Sequence, residues 1–333
     1  MPSVNRFLIN AAAFVVVIAG MRAASEIIVP FLLAVFIAII FAPLLIWLQR
    51  RGVPNTLAVV SILFLILFIT LTLVAFVGTS LNGLTNSLPL YQERLATMTS
   101  GLFAGLEDVG LGLSTKVIKE YINPGKAMAL AANTLKGLSG VLANMFMILL
   151  TVVFILLEAS GLPKKAAAAM GNPDVSLGRF DDFMDSLNKY LAIKTIFSLA
   201  TGILVGIWLF ILGVDYPILW GLLAFLLNYV PNIGSIIAAI PACLVALIQL
   251  GPVYALSAAL GYLVLNIAIG SILEPRFMGR GLGLSTLVVF LSLVFWGWVL
   301  GPVGMLLSVP LTMIVKIALE GRDDTRKMAI LLG

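Results

Sequence analysis

Four runs of this chain are apolar for as long as a lipid bilayer is thick. Residues 27–48, 56–77, 193–212 and 253–273 each supply about 20 residues, and at about 1.5 Å of helical rise per residue such a run crosses a hydrocarbon core of about 30 Å. Within lipid, every backbone N–H and C=O must be paired inside the protein, so runs of this kind fold as helices. Residues 141–157 are shorter but continue an upstream helical pattern, and they read as a further span. Residues 7–21 read as a retained span. A cleaved leader is the alternative there, because Arg6 precedes the run and Ala23-Ala24-Ser25 follows it. Composition agrees: 61% of residues are apolar and 11% charged, with a mean hydropathy of +1.15, too little polar material to cover a water-facing surface. The expected fold is all-α, a polytopic protein whose first partner is the lipid bilayer.

The net charge of +5 would raise nucleic acid as a partner in a soluble protein; here the basic residues report which loops stay in the cytoplasm. With the Arg50-Arg51 turn placed inside, twelve basic residues fall inside and six outside, and five of those six lie in one long segment that the charge rule weights little. Both termini are then cytoplasmic, and no nucleic-acid role is expected. Lys194 and Lys316, within or at the ends of spans, are expected to snorkel to water. The chain divides into N-terminal spans (1–77), a helical segment outside the cytoplasm (78–140), a span (141–157), cytoplasmic and interfacial helices (158–192), a core (193–320) and a cytoplasmic tail (321–333).

Within residues 78–140, Leu81, Leu84, Leu88, Tyr91, Leu95, Met98 and Leu102 recur at steps of three and four, a seam that packs either inside one protomer or between protomers. Pro89 is expected to kink or break that helix, and Asn123-Pro124 to start another. Phe180, Phe183, Met184, Leu187 and Leu191 share one face of an interfacial helix leading into the next span.

The chain contains no histidine, which removes Ser-His-Asp and Cys-His nucleophile systems, histidine-ligated zinc and histidine proton relays. The single cysteine, Cys243, sits in an apolar run as a packing residue. There is no Walker-type phosphate loop and no pair of mid-span aspartates, so no enzyme, cofactor or metal site is expected.

Two apolar stretches are interrupted, and these carry the functional signal. Residues 218–250 are cut at Asn228-Tyr229-Val230-Pro231-Asn232-Ile233-Gly234, leaving a first arm that reaches only about 20 Å. Residues 286–319 are cut at Gly301-Pro302-Val303-Gly304. Both are read as re-entrant helical hairpins. Each break has a proline, a branched residue and a glycine, and each is preceded by a tryptophan-glycine pair, Trp220-Gly221 and Trp296-Gly297. By the charge map one hairpin starts from outside and the other from the cytoplasm, so the similarity describes an inverted repeat. Such a repeat marks transporters, in which unwound backbone lines a solute site. The alternative is an ordinary kink between packed helices. Pro231, Gly234, Pro302 and Gly304 are expected to shape the breaks. Asn228, Asn232, Ser235, Asn266, Ser271, Ser285 and Thr286 lie in or beside them, and their amides and hydroxyls suit a neutral polyhydroxylated solute. No Asp or Glu occurs at the middle of a span, which tells against cation exchange. Glu274 and Arg276 are the nearest candidates for ion coupling, or else a salt-bridged turn.

Trp220-Gly221-Leu-Leu-Ala-Phe, Asn228-Tyr-Val-Pro-Asn-Ile-Gly234, the stretch from Asn266 through Glu274-Pro-Arg-Phe-Met-Gly279, and Gly281-Leu-Gly-Leu-Ser-Thr286 together resemble the autoinducer-2 exporter family. The resemblance implies a Gram-negative inner-membrane exporter of a quorum-sensing furanosyl diol, with residues 78–140 periplasmic, a pentameric homo-oligomer and an elevator-like moving part. It also implies a runner-up activity, sodium or lithium/proton antiport, attached to some relatives. A membrane scaffold is the other alternative. Distant relatives carry His-Pro where this chain has Ser285-Thr286, so a proton role for that histidine does not transfer. The two broken tips are expected to meet around one polar chamber exposed alternately to each side.

Overall fold

A computed structural model describes residues 2–108, 144–159, 173–231, 233–278, 284–320 and 325–332. Among the described residues there is no strand, and the helices are α1 (Pro2–Ala23), α2 (Ser25–Arg50), α3 (Asn55–Asp108), α4 (Met145–Ala159), α5 (Pro173–Leu212), α6 (Pro217–Leu227), α7 (Gly234–Leu250), α8 (Pro252–Leu265), a π-helix (Asn266–Leu273), α9 (Glu274–Met278), α10 (Thr286–Leu306), α11 (Ser308–Glu320) and α12 (Arg326–Leu331). Five stretches among them are long and apolar enough to cross a membrane: Ser25–Arg50, Asn55–Ser87, Met184–Leu212, Pro252–Phe277 and Thr286–Leu306. The protein is an all-α polytopic membrane protein.

The described residues form two compact units, one drawn from 1–67, 140–194 and 278–333, the other from 68–139 and 195–277. In the first unit, α2, the start of α3 and α4 pack through stripes at helical spacing: Ala34, Ala38 and Leu45; Ala58, Val59, Ile62 and Ile66; Ile148, Val152 and Leu156. Lipid tails are as apolar as these side chains, so the helices associate through close packing. Alanines at the crossing let the backbones approach. The α10–α11 hairpin buries Trp296, Val299, Leu300, Leu307 and Leu311 against Ile18 and Met21 of α1 and Ile28, Val29 and Leu32 of α2. Near its base, Val309 and Met313 meet Leu187, Tyr190 and Leu191 of α5. Of the face predicted on the helix before the third long span, Leu187 and Leu191 are therefore core residues; the side chains of Phe180 and Phe183 lie outside the described residues.

The second unit is built around α6 and α7, which fold back on one another to make the other hairpin. Its core joins Trp220, Leu223 and Ala224 of α6, Ala238, Ala242, Val245 and Ala246 of α7, Ala258 and Tyr262 of α8, and Val205 and Leu209 of α5. Helix α5 lies antiparallel along α6, and glycines let the two touch. A Cβ at Gly221 would stand 2.6 Å from the Gly202 carbonyl oxygen, whereas one at Gly206 would meet the Pro217 oxygen at an ordinary 3.5 Å. Helix α8 joins α5 by a Trp208 Nε1–H donated to the Ser257 carbonyl at 3.1 Å.

The later part of α3 closes the base of this hairpin. Leu84 and Tyr91 of the predicted seam are buried in the hairpin core, so at these two positions the seam packs within the chain. Tyr91 donates to Asp215 Oδ2 at 2.7 Å, and Gln249 Nε2 donates to Asp215 Oδ1 at 3.0 Å while Gln249 Oε1 accepts from the Asp215 N–H at 2.8 Å. Burial, then the Asp215 carboxylate, push the Tyr91 phenol well above its usual range, so it stays a proton donor. The Trp220 indole N–H caps the same turn on the Asp215 carbonyl at 2.8 Å.

Two expectations need correction. Pro89 does not break its helix: α3 is continuous to Asp108. Leu84 and Tyr91 anchor the chain on both sides of the proline, and tertiary contacts outweigh the bond it removes. Lys194 does not snorkel but is 6% exposed, because α5 is covered by protein at that turn. Residues 109–143, which include Asn123-Pro124, lie outside the described residues.

Gly221→Leu should destabilise the protein by about 1–3 kcal/mol through overpacking, read as a lowered melting temperature in detergent. Gly206→Ala should leave that temperature within error.

Candidate functional site

Among its described residues, the first hairpin turns without any left-handed backbone. From Asn228 to Gly234 the chain makes short overlapping bonds, with the Asn228 N–H to the Ala224 carbonyl at 2.9 Å, Val230 to Leu227 at 2.8 Å, Ile233 to Pro231 at 2.7 Å and Gly234 to Val230 at 3.3 Å. Pro231 supplies no N–H, so the α6 ladder cannot continue, and its carbonyl is taken up by the Ile233 bond. Gly234 opens α7 where the two arms are closest: a Cβ there would fall on the Leu227 carbonyl.

Two side chains of this break are tied to α5. Asn228 is 7% exposed and its Nδ2 donates to Oγ of the fully buried Ser198 at 3.0 Å. The Tyr229 hydroxyl donates to Thr195 Oγ1 at 2.8 Å. Thr195, Ser198, Gly202 and Gly206 form one stripe of α5 at steps of three and four, so one face gives hydroxyls to the break and bare backbone to α6. By helical rise, Thr195 lies about 26 Å from the Leu212 end of the apolar stretch and about 16 Å from its Met184 end. Sequence reasoning named Asn228 but missed Thr195 and Ser198. The available signal was a hydroxyl–glycine stripe inside an otherwise apolar span.

Of the other predicted residues in this unit, Ser235 lies in the first turn of α7 and is half-buried, and Asn232 lies outside the described residues. Asn266 opens the π-helix, Ser271 is on its exposed side, Glu274 is 8% exposed and Arg276 is exposed. The π-helix has a local cause. Pro275 has no N–H, and in an α-helix its ring would press on the Ser271 carbonyl; the wider coil relieves this, and the Glu274 N–H reaches back to Ile269. Gly270 sits inside the wide turn, where a Cβ would approach Asn266 Oδ1 at 3.1 Å.

The second hairpin, in the other unit, breaks differently. Its turning point is Gly301, at φ 69° and ψ −154°, a conformation that glycine adopts without strain. The following Pro302 also steers its predecessor out of the helical region. Gly304 then packs as Gly234 does: a Cβ there would fall on the Trp296 carbonyl of the preceding arm. The arms are joined by the Trp296 indole N–H donating to Thr312 Oγ1 at 3.0 Å. Ser285 is the N-cap of α10, its Oγ accepting from the Val288 N–H at 3.3 Å while its own N–H donates to the Leu332 carbonyl at 3.2 Å. Ser285, Thr286 and Pro302 are exposed. The predicted residues thus fall into two sets, Asn228, Pro231, Gly234, Ser235, Asn266, Ser271, Glu274 and Arg276 in one unit and Ser285, Thr286, Pro302 and Gly304 in the other.

Two helical hairpins in an all-α membrane protein, one with a buried amide at its break, define a polytopic protein of the transporter type. The chain belongs to the AI-2E transporter family, whose model matches residues 11–321. It is 47% identical to the AI-2 transport protein TqsA of Escherichia coli K12, over 98% of this chain and 95% of that protein. It is also 43% identical to a transport protein of Haemophilus influenzae whose name specifies no substrate, over 99% of this chain and 97% of that one. The E. coli transport protein YhhT matches at 40% over 98% and 93%.

Gly234→Ala and Gly304→Ala each place a methyl on a carbonyl and should remove transport while Gly20→Ala, with nothing within 4 Å, does not. Initial rates of solute efflux from membrane vesicles, normalised to protein amount, check this.

Proposed function

We propose that the protein exports autoinducer-2, or a closely similar small polar solute, across a bacterial inner membrane by alternating access. Both termini are cytoplasmic and the chain works as a homo-oligomer. The observation that carries the reading is near full-length identity of 47% to a protein named as an AI-2 transport protein. The geometry supports it. The first hairpin ends at a buried carboxamide partway along α5, and amides and hydroxyls match the donors and acceptors of a neutral diol. In this reading α6 and α7 are re-entrant, and the solute binds at the Asn228–Tyr229 break with Asn232 and Ser235 beside it. Pro231 and Gly234 fix the turn.

The test is efflux of labelled autoinducer-2 from vesicles carrying the wild type or Asn228→Ala. Loss of one hydrogen bond in a closed site, about 1–3 kcal/mol, corresponds to a rise of about tenfold or more in KM. Efflux no faster than from vesicles lacking the protein would refute the substrate; wild-type kinetics for Asn228→Ala would refute the site.

A further inference from the structure

We propose that the last helix, α12, is an interfacial anchor: it clamps the open end of the second hairpin and seats Ile330 and Leu331 in the lipid at the membrane surface. The occupant of this exposed face is the bilayer, in the zone between headgroups and acyl chains.

Helix α12 is tied at both of its ends. Just ahead of it, the Thr325 hydroxyl donates to the Leu319 carbonyl at 2.7 Å, where α11 finishes. Just past it, the Leu332 carbonyl accepts from the Ser285 N–H at 3.2 Å, where α10 begins. These are the two open ends of one hairpin. The Trp296–Thr312 bond joins the arms further in, so α12 lies across the mouth that this pairing leaves. Helix α12 also packs on α11, and Ala329 in its middle is fully buried. The Tyr91–Asp215–Gln249 clasp closes the first hairpin in a comparable way, from another part of the chain.

That position fixes the surroundings. Helix α10 is long and apolar enough to cross a membrane, starting at Thr286, so a segment bonded to Ser285 stands where the chain enters lipid. Leu287, two residues further on, is 66% exposed and has lipid as its neighbour. From Met328 to Leu332 the tail is apolar at every position. Ala329 faces the protein, whereas Ile330 is 67% and Leu331 81% exposed. Beside a bilayer, such a pair gains by leaving water. The charges around it nearly cancel, with Arg322, Arg326 and Lys327 against Asp323 and Asp324. Apolar burial therefore supplies the contact, and attraction to anionic headgroups adds little.

The experiment uses the full chain in lipid nanodiscs, which leave both membrane faces open to solution. On a Cys243→Ala background, Ile330→Cys or Leu331→Cys carries the single thiol, to which a nitroxide spin label is attached. Collision rates are measured with oxygen, which concentrates in lipid, and with a neutral nickel chelate, which stays in water. Oxygen should reach the label freely, while the nickel collision rate should be about threefold or more below that of the free label in water. Both results should be the same in discs of phosphatidylcholine and discs containing phosphatidylglycerol, and in low and high salt. A nickel rate equal to that of the free label would put the pair in water and overturn the proposal. Low rates with both reagents would mean that protein covers the pair, a second copy or another part of this chain, and would overturn it as well. Protection from nickel only in discs with phosphatidylglycerol would overturn the apolar basis of the contact. Should one cysteine prevent folding, the other position decides.

Discussion

A helix that stops inside an apolar slab exposes backbone N–H and C=O groups that no water can satisfy, and the proposed re-entrant reading of the two hairpins depends on how their breaks meet that cost. The first hairpin does so with tight overlapping turns between Asn228 and Gly234, while hydroxyls of a neighbouring helix hold the Asn228 and Tyr229 side chains. The second uses one glycine in a left-handed conformation and lets Gly304 close against the Trp296 carbonyl. Both solutions need a glycine where the arms meet, since any Cβ there would overlap a carbonyl. What makes the breaks possible also makes them polar, and polar backbone beside a buried amide is what a neutral solute requires.

Packing without a hydrophobic driving force explains the rest of the architecture. Alanine stripes join α2 to α4 and glycines join α5 to α6, because helices in lipid gain by approaching closely rather than by leaving water. The base of the first hairpin is different in kind. There Tyr91, Asp215 and Gln249 form a hydrogen-bonded clasp between α3 and the hairpin, as expected where water can reach the chain ends.

Much of this was legible in the letters. Lipid-length apolar runs locate the spans because length and hydropathy are one-dimensional properties, and the two Trp-Gly…Pro…Gly patterns located both hairpins. The patterns overstated the likeness of the breaks: one shows no positive φ among its described residues and the other turns on Gly301, a difference that a shared proline and glycine conceal. The π-helix was not anticipated, although Gly270 and Pro275 are its local cause, because hydropathy has the same appearance in a wide coil and a narrow one. Ser198 and Thr195 were missed because hydroxyls inside a span usually bond their own helix, as Thr201 does to the Phe197 carbonyl. Only the antiparallel register of α5 on α6 reveals that two of them face the break. The break expected at Pro89 is absent for a related reason, since anchoring at Leu84 and Tyr91 is a tertiary fact.

The central claim is that the Asn228–Gly234 break opens onto water inside the membrane and receives the solute. Cys243 is the only cysteine in the chain, so a Cys243→Ala background carrying Ile233→Cys offers one thiol in the turn. Its reaction with a charged, membrane-impermeant thiol reagent can be followed in sealed vesicles of both orientations. The account predicts labelling that slows when autoinducer-2 is present. A thiol that never reacts from either side, or one whose reaction the solute leaves unchanged, would contradict it.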